Sequence, residues 1–266
     1  MINKKYLKNL RSKEINSKNH FIFDLYNERI IDSLKIINLN FRKILILGDN
    51  GVKLREFICN KYINTSITLY DFKKNDFDLD KWESEDNQYD LIISNFFLFL
   101  TNKFDNILNK ILLSLTSNGF FIATLPSKEN FNELRLAMLK TDMDVYGGAF
   151  NRFNKFIELQ SIIDLLKKNN FKIPLVDYEI IDLTYKQFNK LLNDVRSMNL
   201  SYYQKDKKNT FEKKSYFSKL EGNFEKENDH FNLKSNFYII SGWKDHSSQQ
   251  KPIRPGQAKN KLADFL

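Results

Sequence analysis

Three short stretches carry residues whose types and spacing could hold a ligand. Gly48 closes the apolar run Lys43-Ile44-Leu45-Ile46-Leu47 and is followed by Asp49, Asn50 and Gly51. This is the pattern of a strand buried on both faces that turns sharply, and a residue without a Cβ lets the backbone approach a ligand there. Asp71 ends a second strand-like run, Ser66 to Tyr70, about twenty residues further on, where a carboxylate can accept both hydroxyls of a ribose. A third run, Tyr89 to Ser94, leads into Asn95. Together they point to a nucleoside-containing cofactor. Each also has an ordinary reading, a turn glycine or a solvated carboxylate, and the order of the elements is what favours the ligand.

That order sets the fold. Strand runs at 43–47, 66–70, 89–94 and 120–125 alternate with helical spacing at 52–62 and 104–115, and Asn118-Gly119 turns the chain into the last of these strands. An earlier helix is expected from Asp24 to Ile37. The alternation predicts a doubly wound, mostly parallel α/β sheet of Rossmann-like type, with Gly48 to Gly51, Asp71 and Ser94-Asn95 on the rim at the strands' carboxyl ends. Further helices are expected at 129–140, 156–169 and 185–198, with strands at 175–183 and 237–243. The chain divides into a basic arm and first helix (1–40), a Rossmann-like domain (41–200), a polar insertion or lid (201–236), and a last strand with its tail (237–266).

Composition removes several classes. The 266 residues carry 42 Lys+Arg and 33 Asp+Glu, a net charge of +9, yet 42% are hydrophobic and 14% aromatic, which suits a globular chain and not a disordered one. The single cysteine, Cys59, excludes an internal disulfide and a cysteine-built metal cluster; its place on a helix predicts a buried structural thiol. Three histidines, His20, His230 and His246, lie scattered in an arm, an insertion and a tail, a poor basis for an iron triad. No window reaches the roughly 18 apolar residues that span a bilayer. The Lys-rich segment 201–236 mixes Asp206, Glu212, Glu221 and Glu225 among its aromatics, which dilutes attraction to phosphate and argues against nucleic-acid binding. A cytoplasmic bacterial protein is the expectation.

Longer motifs carry a resemblance. Tyr238-Ile239-Ile240-Ser241-Gly242-Trp243-Lys244-Asp245-His246-Ser247-Ser248-Gln249-Gln250-Lys251-Pro252, then Pro255-Gly256 and Leu262-Ala263-Asp264, form a distinctive strand and tail. Asn132-Glu133-Leu134-Arg135, Tyr146-Gly147-Gly148-Ala149-Phe150 and Asn170-Phe171-Lys172-Ile173-Pro174 support it. In these the chain resembles the class I S-adenosylmethionine-dependent methyltransferases, and within them the branch of mitochondrial complex I assembly factor five, an arginine hydroxylase, and its alphaproteobacterial relatives. The resemblance implies a seven-stranded sheet with an antiparallel last strand, and S-adenosylmethionine held by Gly48, Asp49, Asn50, Gly51, Asp71, Asp78, Ser94 and Asn95. It also implies a substrate side formed by Arg135, Gly147, Gly148, Trp243 and His246, and a complex I (NADH dehydrogenase) subunit as partner. It leaves three activities open: methyl transfer to a protein side chain, arginine hydroxylation, and a chaperone role with a decayed cofactor pocket.

The sequence departs from that pattern twice. Ile46 stands where the family's first motif has an acid, and Asn50 and Val52 stand where it has its later glycines. Between Asp71 and Tyr89 the stretch is too short for a helix and a further strand, so the family's third strand is expected to be missing, or present without its helix.

Overall fold

The computed structural model describes residues 2–3, 5, 21–48, 51–71, 77–83, 85–198, 200, 202–205, 207 and 211–249. Helix α1 (Phe21–Lys35) leads to β1 (Lys43–Leu47), α2 (Val52–Lys61), β2 (Ser66–Tyr70), β3 (Tyr89–Asn95), α3 (Phe104–Ser114) and β4 (Leu115–Pro126). Then follow α4 (Asn132–Tyr146), α5 (Leu159–Lys168), β5 (Lys172–Tyr185), α6 (Phe188–Ser197), α7 (Lys214–Asn223), β6 (Lys226–Glu227) and β7 (His230–Trp243). The strands lie in the order β2-β1-β3-β4-β7-β5, with β6 paired to β7. The pairs of β1 with β2 and β3, and of β3 with β4, are parallel, whereas β7 runs antiparallel to both β4 and β5.

The uninterrupted apolar runs follow from two cores, one on each face of the sheet. Ile44, Ile46, Leu91, Ile93 and Ile122 face one, beneath α1 and α4, while Leu45, Leu47, Ile92, Phe121 and Leu125 face the other, beneath α3 and α5. A strand covered on both sides has no polar face to alternate with. Helix α1 buries Ile22, Tyr26, Ile30 and Leu34, one stripe at near-four-residue spacing. Its carboxyl end is held by Lys61, whose ammonium donates to the carbonyls of Lys35 at 3.1 Å and Ile37 at 3.0 Å, and to that of Leu34. Lys61→Met should cost about 1 kcal/mol, measured by urea unfolding, because it removes a cation from the negative end of a helix dipole.

The expected shortening after β2 is found. Among the described residues the segment before β3 forms only a 3-10 turn, Leu79–Lys81, and no strand pairs with the outer edge of β2. Phe77, Leu79 and Trp82 all turn into the core, which fixes the segment as a tight plug. Two strands start well ahead of expectation. β4 starts at Leu115, directly after α3, and the Asn118-Gly119 turn is an irregularity inside it, with Asn118 at φ 62°. The last strand starts at His230, seven residues before the expected Phe237, and α7 lies in the segment read as a polar insertion. Phe231-Asn232-Leu233-Lys234 alternates apolar and polar residues as a half-covered strand does, and the Asn228-Asp229 turn, both at positive φ, launches it.

This longer strand changes the shape of the rim. β7 meets β4 only from Phe237 onward, so Phe231 to Asn236, paired with Ile180 to Tyr185, runs past the carboxyl end of β4 as a ribbon of roughly 20 Å. Apolar residues of α4, α6 and α7, among them Leu134, Leu191 and Leu220, share a core with Phe231 and Leu233 of the ribbon. No helix among the described residues is long and apolar enough to cross a membrane.

Candidate functional site

The parallel register brings the carboxyl ends of β1, β2 and β3 level, with Leu47 opposite both Tyr70 and Ser94. Gly48 follows at φ 88°, a conformation L side chains rarely adopt, and its amide donates to the Tyr70 carbonyl at 2.8 Å. That bond sets Gly48 beside Asp71, which is buried. The chain goes from β1 outward to β2 and then returns to β3 on the other side, so the rim at Gly48 and Ser94 is the topological switch point, where open α/β sheets bind ligands.

The space around Gly48 is closely fitted. A Cβ there would lie 2.7 Å from Cδ2, 2.8 Å from Cγ and 2.9 Å from Cβ of Phe97, whose ring is fully buried. Phe77 stacks on Tyr70 at 4.8 Å and on Phe97 at 6.3 Å, continuing this aromatic row to the end of β2. Gly51, the residue before α2, packs against α1: a Cβ would sit 3.0 Å from Asn27 Nδ2 and 3.2 Å from Asp24 Oδ1. Ser94 donates to the Leu47 carbonyl at 3.1 Å. Asn95 donates to Asn27 Oδ1 at 2.7 Å and to the Phe23 carbonyl at 3.3 Å, and accepts from Thr124 Oγ1 at 2.6 Å. Asn95 is thus a buried cross-link between α1, β3 and β4. Phe96, at φ 47°, stacks on Tyr26 with 4.2 Å between centroids. Burial raises the Tyr26 hydroxyl far above the usual tyrosine range, against a smaller lowering by Ser235, so it serves as a neutral hydrogen-bonding group. Ser235 in turn donates to Asn130 Oδ1 at 3.2 Å, just beyond β4.

The start of the chain also reaches this rim. Ile2 bridges to Gln204 and donates to Asn102 Oδ1 at 3.1 Å, Asn3 donates to the Tyr203 carbonyl at 2.8 Å, and the Tyr203 hydroxyl donates to the Phe99 carbonyl at 3.3 Å. Sequence reasoning did not find this cover, because a two-residue pairing across 200 positions leaves no periodic trace.

Of the residues the sequence nominated, Gly48, Gly51, Asp71, Ser94 and Asn95 come together at the rim. Asp49 and Asn50 lie outside the described residues, as do Pro252, Pro255-Gly256 and Leu262-Ala263-Asp264. Asp78 stands beside Phe77 but accepts from the Asp80 amide at 3.1 Å, capping the 3-10 turn. Arg135 is half-buried on α4; it donates to the Lys128 carbonyl at 2.5 Å and lies over the Phe153 ring at 5.8 Å. Gly147 adopts φ 67° as the C-cap of α4, its amide bonded to the Met143 carbonyl at 3.0 Å, so the glycine pair ends this helix; Gly148 has open space around it.

Trp243 and His246 fall at the other end of the sheet. Trp243 pairs with Phe120 and Lys172, near the amino end of β4, and His246 accepts from the Ser248 amide at 3.2 Å on that same far side. β7 is antiparallel, so its last residue lies a strand length from the rim that holds Gly48. Cys59 is exposed, not buried, because α2 turns only Leu54 and Ile58 fully inward.

A cluster the sequence did not suggest lies where α4 meets α7. Arg152 forks onto the fully buried Asp142, at 2.5 Å and 3.0 Å, and reaches Glu212 at 2.6 Å. The Tyr216 hydroxyl donates to Asp142 at 2.9 Å, and its ring lies 4.9 Å from the guanidinium. Burial works against the charge on Arg152, but the hydrogen bonds it donates to the two carboxylates outweigh it and hold the group ionised beyond the ordinary arginine range. Arg152 and Asp142 are 10 positions apart, but Glu212 and Tyr216 join them from 60 and 74 positions away, so no local pattern announces the cluster.

No protein-family model matches the chain. It is 29% identical over 189 residues to a protein named arginine-hydroxylase NDUFAF5, mitochondrial, from Dictyostelium discoideum, a match covering 68% of this chain and 42% of that one. To the protein of that name from Danio rerio it is 24% identical over 189 residues, covering 68% of this chain and 57% of the relative. The chain thus spans about half the length of the curated relatives it matches. Among solved structures it is similar to a protein of Bacillus halodurans C-125 described as a methyltransferase, with a TM-score of 0.51 at 10% identity, over 82% of this chain and 98% of the other. The fold is that of the class I methyltransferases, with mostly parallel strands and antiparallel pairing at the carboxyl-terminal strand.

Proposed function

We propose that this chain is an S-adenosylmethionine-binding protein of the methyltransferase type that acts on a side chain of a protein substrate during assembly of respiratory complex I. The cofactor half rests on one observation above the others: the bond from Gly48 to the Tyr70 carbonyl sets a left-handed, Cβ-free turn beside the buried carboxylate of Asp71 at the switch point of the sheet. Asp71 suits the two ribose hydroxyls of a nucleoside, and the turn from Gly48 to Gly51 suits close approach of backbone to ligand. The bound cofactor would supply an electrophilic methyl group. The chain's own residues would orient the acceptor and exclude water, which is the main demand of a direct displacement. The protein-substrate half rests on the similarity to the NDUFAF5 proteins and on the tail motif that resembles their branch.

A second reading, a non-catalytic assembly chaperone of the same fold, is favoured by a specific contact. Phe97 occupies the direction that a Gly48 side chain would take, and Ser94 and Asn95 spend hydrogen bonds inside the protein. Calorimetric titration with S-adenosylmethionine and S-adenosylhomocysteine separates the two. The enzyme reading expects saturable binding at micromolar strength, about −8 kcal/mol, weakened at least tenfold by Asp71→Ala. An absence of heat at millimolar ligand removes the enzyme reading and leaves the chaperone.

A further inference from the structure

Helix α4 is apolar on two opposite faces. Leu134 and Ala137 point into the core, while Leu136, Leu139, Met143 and Tyr146 point away from it and are 57%, 48%, 52% and 41% exposed. Their spacing of three, four and three residues is that of the a and d positions of a helix–helix seam, so they form one row along the helix. Phe150 extends the row past the Gly147 cap, its ring edge-on to Tyr146 at 5.3 Å. Scattered exposed apolar side chains are ordinary on a protein surface, whereas a contiguous row marks an interaction site. The row is rigidly mounted, because Tyr146 bonds Glu212 and the Arg152 cluster pins this end of α4 to α7.

Charge beside the row selects the occupant. The positions flanking the seam hold Lys140, which is exposed and makes no ion pair among the described residues, and Arg135. The acids of α4 are already engaged: Glu133 accepts from the Lys234 amide, Asp142 holds Arg152, and Asp144 pairs with Lys219 at 3.7 Å. A second copy packed on this face would set Lys140 against its own equivalent if antiparallel, or against Arg135 if parallel, and both pairings oppose like charges. We infer that the outer face of α4 is a docking surface for an amphipathic helix of a partner protein, with an apolar seam flanked by glutamate or aspartate. This rests on the protein-substrate half of the function proposed above and is independent of the cofactor half.

The test uses the full chain and two labelled synthetic helices of about 18 residues, both with leucine at a and d, one with glutamate and the other with lysine at e and g. Fluorescence anisotropy is expected to show saturable micromolar binding of the acidic helix and at least tenfold weaker binding of the basic one. Leu139→Glu should abolish binding of the acidic helix, and Lys140→Glu should reverse the preference between the two. Equal binding of both helices, binding indifferent to Leu139→Glu, or no binding at all overturns the proposal. So does a dimer in sedimentation velocity that Leu139→Glu dissolves, which would assign the face to a second copy. Calorimetry with S-adenosylhomocysteine on the Leu139→Glu protein keeps a failure of docking distinct from a failure of the cofactor reading.

Discussion

Gly48→Ala is expected to lower the free energy of unfolding by about 3 kcal/mol, the sum of two costs of similar size. Holding a residue with a Cβ at φ 88° costs about 1–2 kcal/mol. Forcing that Cβ against Phe97 costs about 1–3 kcal/mol more, as other overpacked sites do. The contact at 2.9 Å is with the Phe97 Cβ itself, so rotating the ring does not relieve it, and with the ring fully buried the backbone of one strand end must move. Urea unfolding of the single and double variants separates the costs. In a Phe97→Ala background the same substitution should keep the backbone cost and the contact with the Cβ that alanine retains, and lose only the clash with the ring. An unchanged unfolding midpoint for Gly48→Ala would show that neither constraint operates. The same pair of variants bears on function: if the Phe97 contact closes the switch point, Phe97→Ala should strengthen binding of S-adenosylhomocysteine, a result a purely structural role for Phe97 would not produce.

Arg152→Met is expected to destabilise the fold by about 3–5 kcal/mol, because it strands the carboxylate of Asp142 in the core. After the substitution Asp142 keeps the Tyr216 hydroxyl at 2.9 Å and the Phe150 amide at 3.2 Å, but no cation. Removing the charge of Asp142 as well, Arg152→Met with Asp142→Leu, should cost less, since replacing a buried ion pair by apolar groups is often close to neutral and Glu212 then loses only its Arg152 contact. The double-mutant cycle therefore carries a large coupling energy, read from denaturant unfolding. The sign with pH follows from the direction of the arginine shift. A cation whose folded pKa lies above its unfolded one contributes its full stabilisation below the unfolded value, which for arginine is already strongly alkaline, so the penalty should not shrink between neutral and mildly alkaline solution. A penalty below about 1 kcal/mol would mean that α4 and α7 are held together by their apolar contacts alone.

Much of the framework was legible in particular residues. The runs Lys43–Leu47, Tyr89–Ser94 and Phe120–Leu125 read as strands covered on both faces, and the two-sided core explains why each is continuous. The short stretch after Asp71 foretold that no strand pairs beyond β2 among the described residues, because crossover length is a count of residues. Gly48 and Asp71 were legible as neighbours since both end parallel strands. The employment of Ser94 and Asn95 was not legible, as their partners Leu47, Asn27 and Thr124 stand 29 to 68 residues away. Trp243 and His246 were placed with the site because the motif that holds them is distinctive, and a motif has no direction in space.

Local order along the chain thus determined the elements, the strand ends and the turn that gather the rim, because side-chain periodicity and turn residues act over a few positions. Tertiary structure alone decided the ribbon that β7 forms with β5 past the end of β4, the ring that fills the space beside Gly48, the ion cluster at Arg152 and the outward seam of α4. Each of these depends on which distant surfaces pack together, and packing is a property of the whole core.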